Sequence, residues 1–218
     1  GYKYLFGPVP SRRLGASLGV SPIPERTCNY SCVYCQLGRT LRMTNTRQEF
    51  FPLEEILAEF REYLRGSIPF DVVTVVGEGE PTLYSRLGEL IAGLKKETDK
   101  PVAVITNGAL LYDAEMRREL MEADIVLPSL DAVTEEQYRK IDRPMGSIGF
   151  AEMAEGLRQF AREYQGQLWI EIMLVDGMND SPEDIAAFKG FLGTIDYDRV
   201  YLNTPVRPPA EGFVHTSA

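Results

Sequence analysis

Segments typical of β-strands and segments typical of α-helices alternate along this chain of 218 residues. The strand predictions, read from short apolar or β-branched runs, are residues 16–21, 71–76, 102–106, 124–127, 168–175 and 199–203. The helix predictions, read from apolar side chains at helical spacing, are residues 53–65, 85–97, 113–123, 134–141, 150–165 and 181–195. Thr134 and Gln137 have the spacing of a capping box. Such alternation favours a parallel sheet with right-handed crossovers, either an open doubly wound sheet or a barrel.

The domain organisation follows from the same alternation. Six β/α units occupy nearly the whole chain, and the sequence shows no internal repeat and no linker-like stretch. We therefore expect one domain over residues 1–204. Residues 205–218 hold three prolines and no periodic apolar pattern, so we expect a C-terminal tail there, or the start of an absent segment.

Composition excludes several classes of protein. Hydrophobic residues make up 44% of the chain and charged residues 25%, which is typical of a globular domain and not of a disordered or fibrous chain. No apolar run approaches the roughly 18 residues of a membrane span. The first ten residues lack the apolar core of a signal peptide. We expect a cytoplasmic protein without a membrane partner.

The net charge of −9 is unevenly distributed. Residues 1–50 carry a net charge of +5, whereas residues 51–218 carry −14. A solvated basic face is the ordinary interpretation of scattered arginines. Two functional interpretations are a phosphate-bearing substrate and an acidic electron donor, both attracted electrostatically.

All three cysteines of the chain lie in the basic segment, at Cys28, Cys32 and Cys35. Their spacing supplies three thiolates from one short loop, as iron–sulfur clusters require, and three ligands leave one iron of a four-iron cluster open. Zinc is an alternative, but a structural zinc site takes four ligands and the single histidine, His215, is distant in sequence. Inert buried thiols are the third interpretation.

Polar residues follow three further predicted strands, at the point where each strand ends. They are residues 77–81 (GEGEP), 106–108 (TNG) and 129–131 (SLD). The carboxyl ends of parallel strands meet at one edge of a sheet, where β/α proteins build their sites. The sequence therefore predicts that these residues and the cysteine loop form one site.

At these residues the sequence resembles the radical S-adenosylmethionine (SAM) superfamily. CNYSCVYC, from Cys28 to Cys35, matches its CxxxCxΦC signature, with Tyr34 as the aromatic residue. Residues 79–81 resemble the GGE motif, with Glu78 as a departure at its first position, and residues 129–132 resemble the fourth-strand motif. Residues 7–15 and 77–82 are most similar to Fe–S oxidoreductases grouped with tRNA wybutosine-synthesis enzymes.

The resemblance implies a fold, cofactors and a reaction. The implied fold is an α/β partial (β/α)6 TIM-like barrel of parallel strands. The implied cofactors are a 4Fe–4S cluster on Cys28, Cys32 and Cys35, and SAM bound at its open iron. Reductive cleavage of SAM then gives methionine and a 5′-deoxyadenosyl radical that abstracts hydrogen from a substrate. A reduced donor such as flavodoxin or ferredoxin supplies the electron.

The resemblance also implies SAM-binding residues, each with an alternative. Glu80, held by Gly79, would accept a hydrogen bond from the SAM amino group, or is a solvated loop glutamate. Tyr34 would lie beside the adenine or pack in the core. Asn107 would contact SAM or substrate, or forms an ordinary Asn-Gly turn.

Three further strands supply the remaining SAM-pocket candidates. Ser129 and Asp131 would bind the ribose or the methionine carboxylate, or cap the following helix. Glu171, a charge within an apolar strand, would contact the ribose or substrate, or pair with a structural arginine. Asn203 would line the adenosine pocket.

The residues and the resemblance allow three interpretations of the substrate and the function. Subgroup resemblance favours a tRNA base, but the chain has no further cysteines for the second cluster that such chemistry tends to use. A glycyl-radical-enzyme activase, with a protein partner, is the first alternative. A non-enzymatic Fe–S or zinc binding module is the second.

Overall fold

The computed structural model describes residues 1–35 and 39–204. The predicted tail, residues 205–218, lies outside this range. In chain order, the strands are β1 (Leu5–Ser11), β2 (Gly15–Val20), β3 (Thr27–Cys28), β4 (Arg42–Met43), β5 (Val72–Val75), β6 (Val102–Thr106), β7 (Ile125–Pro128), β8 (Gln167–Met173) and β9 (Arg199–Asn203). The helices are α1 (Leu53–Arg65), α2 (Leu87–Glu97), α3 (Ala114–Glu119), α4 (Glu135–Ile141), α5 (Phe150–Glu163) and α6 (Pro182–Leu192).

The predicted α/β fold is confirmed. Within the described residues, the main sheet has seven strands in the order β1-β2-β5-β6-β7-β8-β9. The six strands from β2 to β9 pair in parallel, and the sheet curls into a half-barrel. β3 and β4 form a separate parallel pair, which carries the first cysteine.

The first strand, β1, is a feature that the sequence pattern did not predict. It pairs antiparallel with β2 at the edge of the sheet, with an irregularity between Phe6 and Val9. Its sequence, LFGPVPS, contains a glycine and two prolines, which are uncommon in strand interiors. An edge strand tolerates them because one side of its backbone forms no ladder.

Alternate side chains of each strand pack on opposite faces of the sheet. Val73 and Val104 belong to the large core shared with the helices. Their neighbours in sequence face the concave side, where a second apolar cluster contains Leu14, Val72, Ala103, Leu127 and Trp169. The polar ends of the same strands lie beyond this apolar layer.

Two helix starts show how the chain enters the helices. The Thr134 side chain accepts a hydrogen bond from the Gln137 backbone N–H, as expected of an N-cap. The predicted capping box is wrong in its second half, because the Gln137 side chain accepts from the Val133 backbone N–H instead. Ser181 and Asp184 do form a complete capping box at α6.

In the described ranges, no helix has both the length and the apolar character needed to cross a membrane.

Candidate functional site

The cysteine loop lies directly against the loop that follows β5. The backbone N–H of Glu80 donates to the Thr27 carbonyl oxygen at 3.0 Å. A Cβ atom on Gly79 would collide with that same carbonyl oxygen. Gly79 is therefore a glycine because the two backbones approach closely here, immediately before Cys28.

The Glu80 carboxylate is buried, with 3% of the residue exposed. Oε2 accepts from Thr106 Oγ1 at 2.6 Å, from the Thr82 N–H at 3.0 Å and from the Thr82 hydroxyl. Oε1 accepts from the Asn107 N–H at 2.7 Å. Burial raises the pKa of Glu80, and the four hydrogen bonds oppose that rise. This burial excludes the alternative of a solvated glutamate.

The Asn107 side chain points toward the cysteine loop. Its Nδ2 lies 3.5 Å from Cys28 Sγ and 2.6 Å from Asn29 Oδ1. Gly108, with φ of +80°, completes the Asn-Gly turn, in which Asn107 Oδ1 accepts from the Ala109 N–H at 2.9 Å. Asn107 is therefore both a turn residue and a neighbour of Cys28.

A second group of polar residues surrounds Cys32. Its Sγ lies 3.3 Å from Asp142 Oδ1. Asp131 contacts Asp142 and accepts hydrogen bonds from the Tyr34 hydroxyl and, at 3.1 Å, from the Met173 N–H. Asp131 thus connects the ends of β7 and β8 to the cysteine loop and does not cap α4.

Asp142 is a site residue that the sequence reasoning missed. It follows the last residue of α4, 110 positions from Cys32 in sequence. A carboxylate at the C-terminus of a helix is unfavourable with the helix dipole. An acidic residue at this end of a helix was the sequence feature that could have indicated a site residue. The tertiary structure supplies the reason for it, because Asp142 is 2% exposed and lies beside Asp131.

Burial dominates the electrostatics of the site. Burial, followed by the neighbouring Asp131, raises the pKa of Asp142 well above its usual range. Burial likewise raises the pKa of Asp131. It raises the pKa of Cys28 to about 12, with Glu80 as the next cause, and raises that of Cys32 well above its usual value, with Asp142 as the next cause.

Glu171 and Asn203 lie farther along the same half-barrel. Glu171 pairs with Arg13, from the turn between β1 and β2, and accepts from Asn203 Nδ2 at 3.1 Å. Ser129 forms a parallel bridge with Glu171. The ion pair with Arg13 agrees with the alternative in which Glu171 is the partner of a structural arginine.

The cysteine loop fits a cluster held by thiolates. One short loop supplies all three thiols, and those of Cys28 and Cys35 add to the effects of burial, Asp142 and Asp131 that raise the pKa of Cys32. Beside them, Asn29 Nδ2 is buried and has no hydrogen-bond partner among the described residues, so a donor is left for a bound group. A structural zinc site takes four ligands, and the chain has no fourth cysteine to supply one.

Several known proteins are similar to this chain. A Brachyspira hyodysenteriae protein named GTPase Obg is 43% identical over 205 residues, which are 94% of this chain and 30% of that protein. A UPF0026 protein of Methanocaldococcus jannaschii is 38% identical over 211 residues, 96% of this chain and 65% of that protein. The chain thus spans less than two thirds of either relative.

A solved structure shares the fold. A radical SAM methyltransferase from Sphaerobacter thermophilus superposes with a TM-score of 0.67 and 17% identity, covering 93% of this chain and 60% of that chain. At this identity the likeness concerns the fold alone.

The family model described as the radical SAM superfamily matches residues 23–188. The match contains the three cysteines and every SAM-pocket candidate except Asn203. The resemblance to wybutosine-synthesis enzymes stays a prediction. Enzymes of the superfamily use a 4Fe–4S cluster and SAM, the two cofactors that the sequence predicts, and this chain belongs to the radical SAM superfamily.

Proposed function

We propose that the protein is a radical SAM enzyme whose cluster is held by Cys28, Cys32 and Cys35. The observation that supports this most is the convergence of three thiols, the buried Glu80 carboxylate and Asp131 at one edge of the half-barrel. When bound, the cluster would supply the electron that cleaves SAM to methionine and a 5′-deoxyadenosyl radical, and the radical would take a hydrogen atom from the substrate.

Glu80 is the proposed partner of the SAM amino group. Its Oε2 already accepts three hydrogen bonds, whereas Oε1 accepts one, from the Asn107 N–H. A carboxylate oxygen has about two acceptor positions. Oε1 therefore retains the capacity to accept from a cationic ammonium, and the surrounding donors hold its orientation fixed.

The remaining candidates act around this pair of groups. Gly79 lets the two loops approach, and Tyr34, oriented by Asp131, covers the adenine side. Ser129, Glu171 and Asn203 form the polar end of the concave face, where ribose or substrate binds. Asn107 orients Glu80 through its backbone N–H.

For the substrate we propose a tRNA base, supported by the subgroup resemblance and by the exposed Arg12 and Arg42 of the basic segment, residues 1–50. Comparison of modified nucleosides in bulk tRNA from cells with and without the gene tests this. Loss of one modified nucleoside is expected. An unchanged profile contradicts it and favours a protein substrate, as for a glycyl-radical-enzyme activase.

For the electron donor we propose an acidic one-electron carrier such as flavodoxin or ferredoxin. The cysteine loop continues into an exposed segment that contains Leu41, Arg42 and Met43, with Arg42 stacked on Phe50. An apolar surface with a cation suits a transient acidic partner. The rate of cluster reduction by such a carrier should fall with rising salt, because the attraction is screened.

Anaerobic reconstitution tests the proposed activity. The protein should bind four iron and form 5′-deoxyadenosine from SAM and dithionite. Cys32→Ala should abolish both signals, whereas the control Glu136→Gln, on an exposed ion pair of α4, should retain them. A protein with its full iron content that forms no 5′-deoxyadenosine would contradict the proposal.

A further inference from the structure

Two N–H groups point at the sulfur of Cys28. The Tyr30 backbone N lies 3.4 Å from Sγ, and Asn107 Nδ2 lies 3.5 Å from it. The first comes from the cysteine loop itself. The second comes from the end of β6, 79 residues away in sequence. Asn107 can therefore be replaced without changing the sequence of the cysteine loop.

The hydrogen-bond network fixes the orientation of the Asn107 amide. Oδ1 must be the atom that faces the Ala109 N–H, 2.9 Å away, because an NH2 group in its place would meet another donor. Nδ2 then has two protons. One is directed to Asn29 Oδ1 at 2.6 Å and the other to Cys28 Sγ.

The same asparagine is anchored at its backbone. Its N–H donates to Glu80 Oε1, and Glu80 is held in turn by Thr82 and Thr106. Hydrogen bonds consequently fix both the backbone and the side-chain amide of Asn107. A donor fixed in this way needs no rearrangement when charge develops on the sulfur in front of it.

We propose that Asn107 is a positioning residue that raises the reduction potential of the cluster through its amide contact with Cys28 Sγ. The cluster changes from the 2+ to the 1+ state by accepting one electron from the carrier. The added negative charge is shared by the ligand sulfurs, so an N–H dipole aimed at one of them stabilises the reduced form. This inference rests on the proposed function, since it requires a cluster on Cys28.

The potential is measured by EPR-monitored titration of the reconstituted protein with low-potential mediators. Asn107→Ala should lower the ratio of reduced to oxidised cluster at a fixed poise by about tenfold, which corresponds to about 59 mV for one electron. The control is Asn45→Ala, in the segment after the cysteine loop, whose amide contacts Ser147. Its potential should equal that of the wild type.

Equal midpoints for the wild type and Asn107→Ala overturn the inference, and so does an equal fall in Asn45→Ala. A wild-type protein that binds no 4Fe–4S cluster overturns the proposed function and this inference with it. A cluster with an unshifted midpoint overturns this inference alone.

A measurement on the unmodified protein covers the case in which Asn107→Ala loses its cluster. Asparagine labelled with ¹⁵N in the side-chain amide is incorporated, and the reduced cluster is examined by pulsed EPR for coupling to that nitrogen. Coupling is expected because Nδ2 lies against a ligand sulfur, and it should persist in Asn29→Asp, which removes the labelled amide nitrogen of Asn29 and keeps the Oδ1 acceptor of Asn107. Its absence overturns the inference.

Discussion

Cys28 and Cys32 are four residues apart, yet their surroundings differ. Cys28 has N–H donors from Tyr30 and Asn107, with Glu80 behind them. Cys32 lies against Asp142, which contacts Asp131. One sulfur is thus surrounded mainly by donors and the other mainly by carboxyl groups.

From this difference we expect the surroundings of Cys28 and those of Cys32 to respond to different changes. Donors aimed at Cys28 would stabilise negative charge there, so we expect substitutions on that side to alter the redox and SAM-binding properties. The buried carboxyl groups near Cys32 compete for protons, so that side responds to pH. The surroundings of Cys28 are built from the ends of β5 and β6, those of Cys32 from β7 and α4.

The largest effect is expected from Gly79→Ala, which should disrupt the surroundings of Cys28, where the N–H donors lie (the donor side). The added Cβ meets the Thr27 carbonyl oxygen and displaces the residue before Cys28, lowering the unfolding free energy by about 3 kcal/mol and the iron content by more than half. Gly190→Ala, in α6 with open space around the position, is the control and should leave iron content unchanged. Chemical denaturation and iron analysis measure both, and normal iron in Gly79→Ala would contradict the close approach.

Glu80→Gln should weaken the donor side without displacing the backbone. The new NH2 group faces hydroxyl and N–H donors, which costs about 2 kcal/mol, and SAM affinity should fall at least tenfold. Glu78→Gln, on the exposed glutamate of the same loop, is the matched control. Calorimetric titration with SAM distinguishes them, and equal affinities would exclude Glu80 as the partner of the amino group.

Asp142→Asn, next to Cys32, should change the unfolding free energy by an amount that depends on pH. In the metal-free wild type, the folded state keeps a proton on the raised-pKa carboxyl that the unfolded state loses near pH 3.9. The unfolding free energy from this group therefore falls as pH rises from that value to the raised one.

The variant lacks this titration, so its stability relative to wild type should increase with pH across the same window. Denaturation series at several pH values measure the difference, with the exposed Asp99→Asn as control. Parallel curves for wild type and Asp142→Asn would show that the carboxyl is not held protonated by burial.

The smallest effect is expected at the Arg13–Glu171 ion pair, which lies outside the surroundings of Cys28 and of Cys32. Their side chains are 23% and 16% exposed, and a double-mutant cycle should give a coupling of about 1 kcal/mol or less. Glu171→Gln should also weaken SAM binding about threefold. Glu136→Gln serves as the control on a surface pair. Unchanged SAM affinity would leave Glu171 with the structural pairing alone.

The sequence predicted those parts of the molecule that depend on local pattern. Apolar periodicity located the strands and helices, and β9 has the predicted bounds, Arg199–Asn203. Strand β1 was missed because Gly7, Pro8 and Pro10 mask its pattern, which an edge position tolerates.

In the candidate site, the cysteines and Glu80 were predictable because each lies in a short motif next to a strand end. The direction of the Asn107 side-chain amide was not predictable, because an Asn-Gly sequence predicts a turn but not which residues lie near it in the fold. Asp142 and the Arg13–Glu171 pair depend on contacts across 110 and 158 positions of sequence. No local pattern contains information about such partners.

The long separations within the site have a consequence for assembly. The three ligands are contiguous, but Cys28 meets Asn107, Tyr34 meets Asp131 and Cys32 meets Asp142 across 79, 97 and 110 positions. An unfolded chain can offer the thiols, whereas their fixed surroundings exist only after the sheet has formed as far as β8. We therefore expect maturation of the metal centre to depend on completion of folding, because an incompletely folded chain would bind iron without Asn107, Asp131 and Asp142 around the cysteine loop.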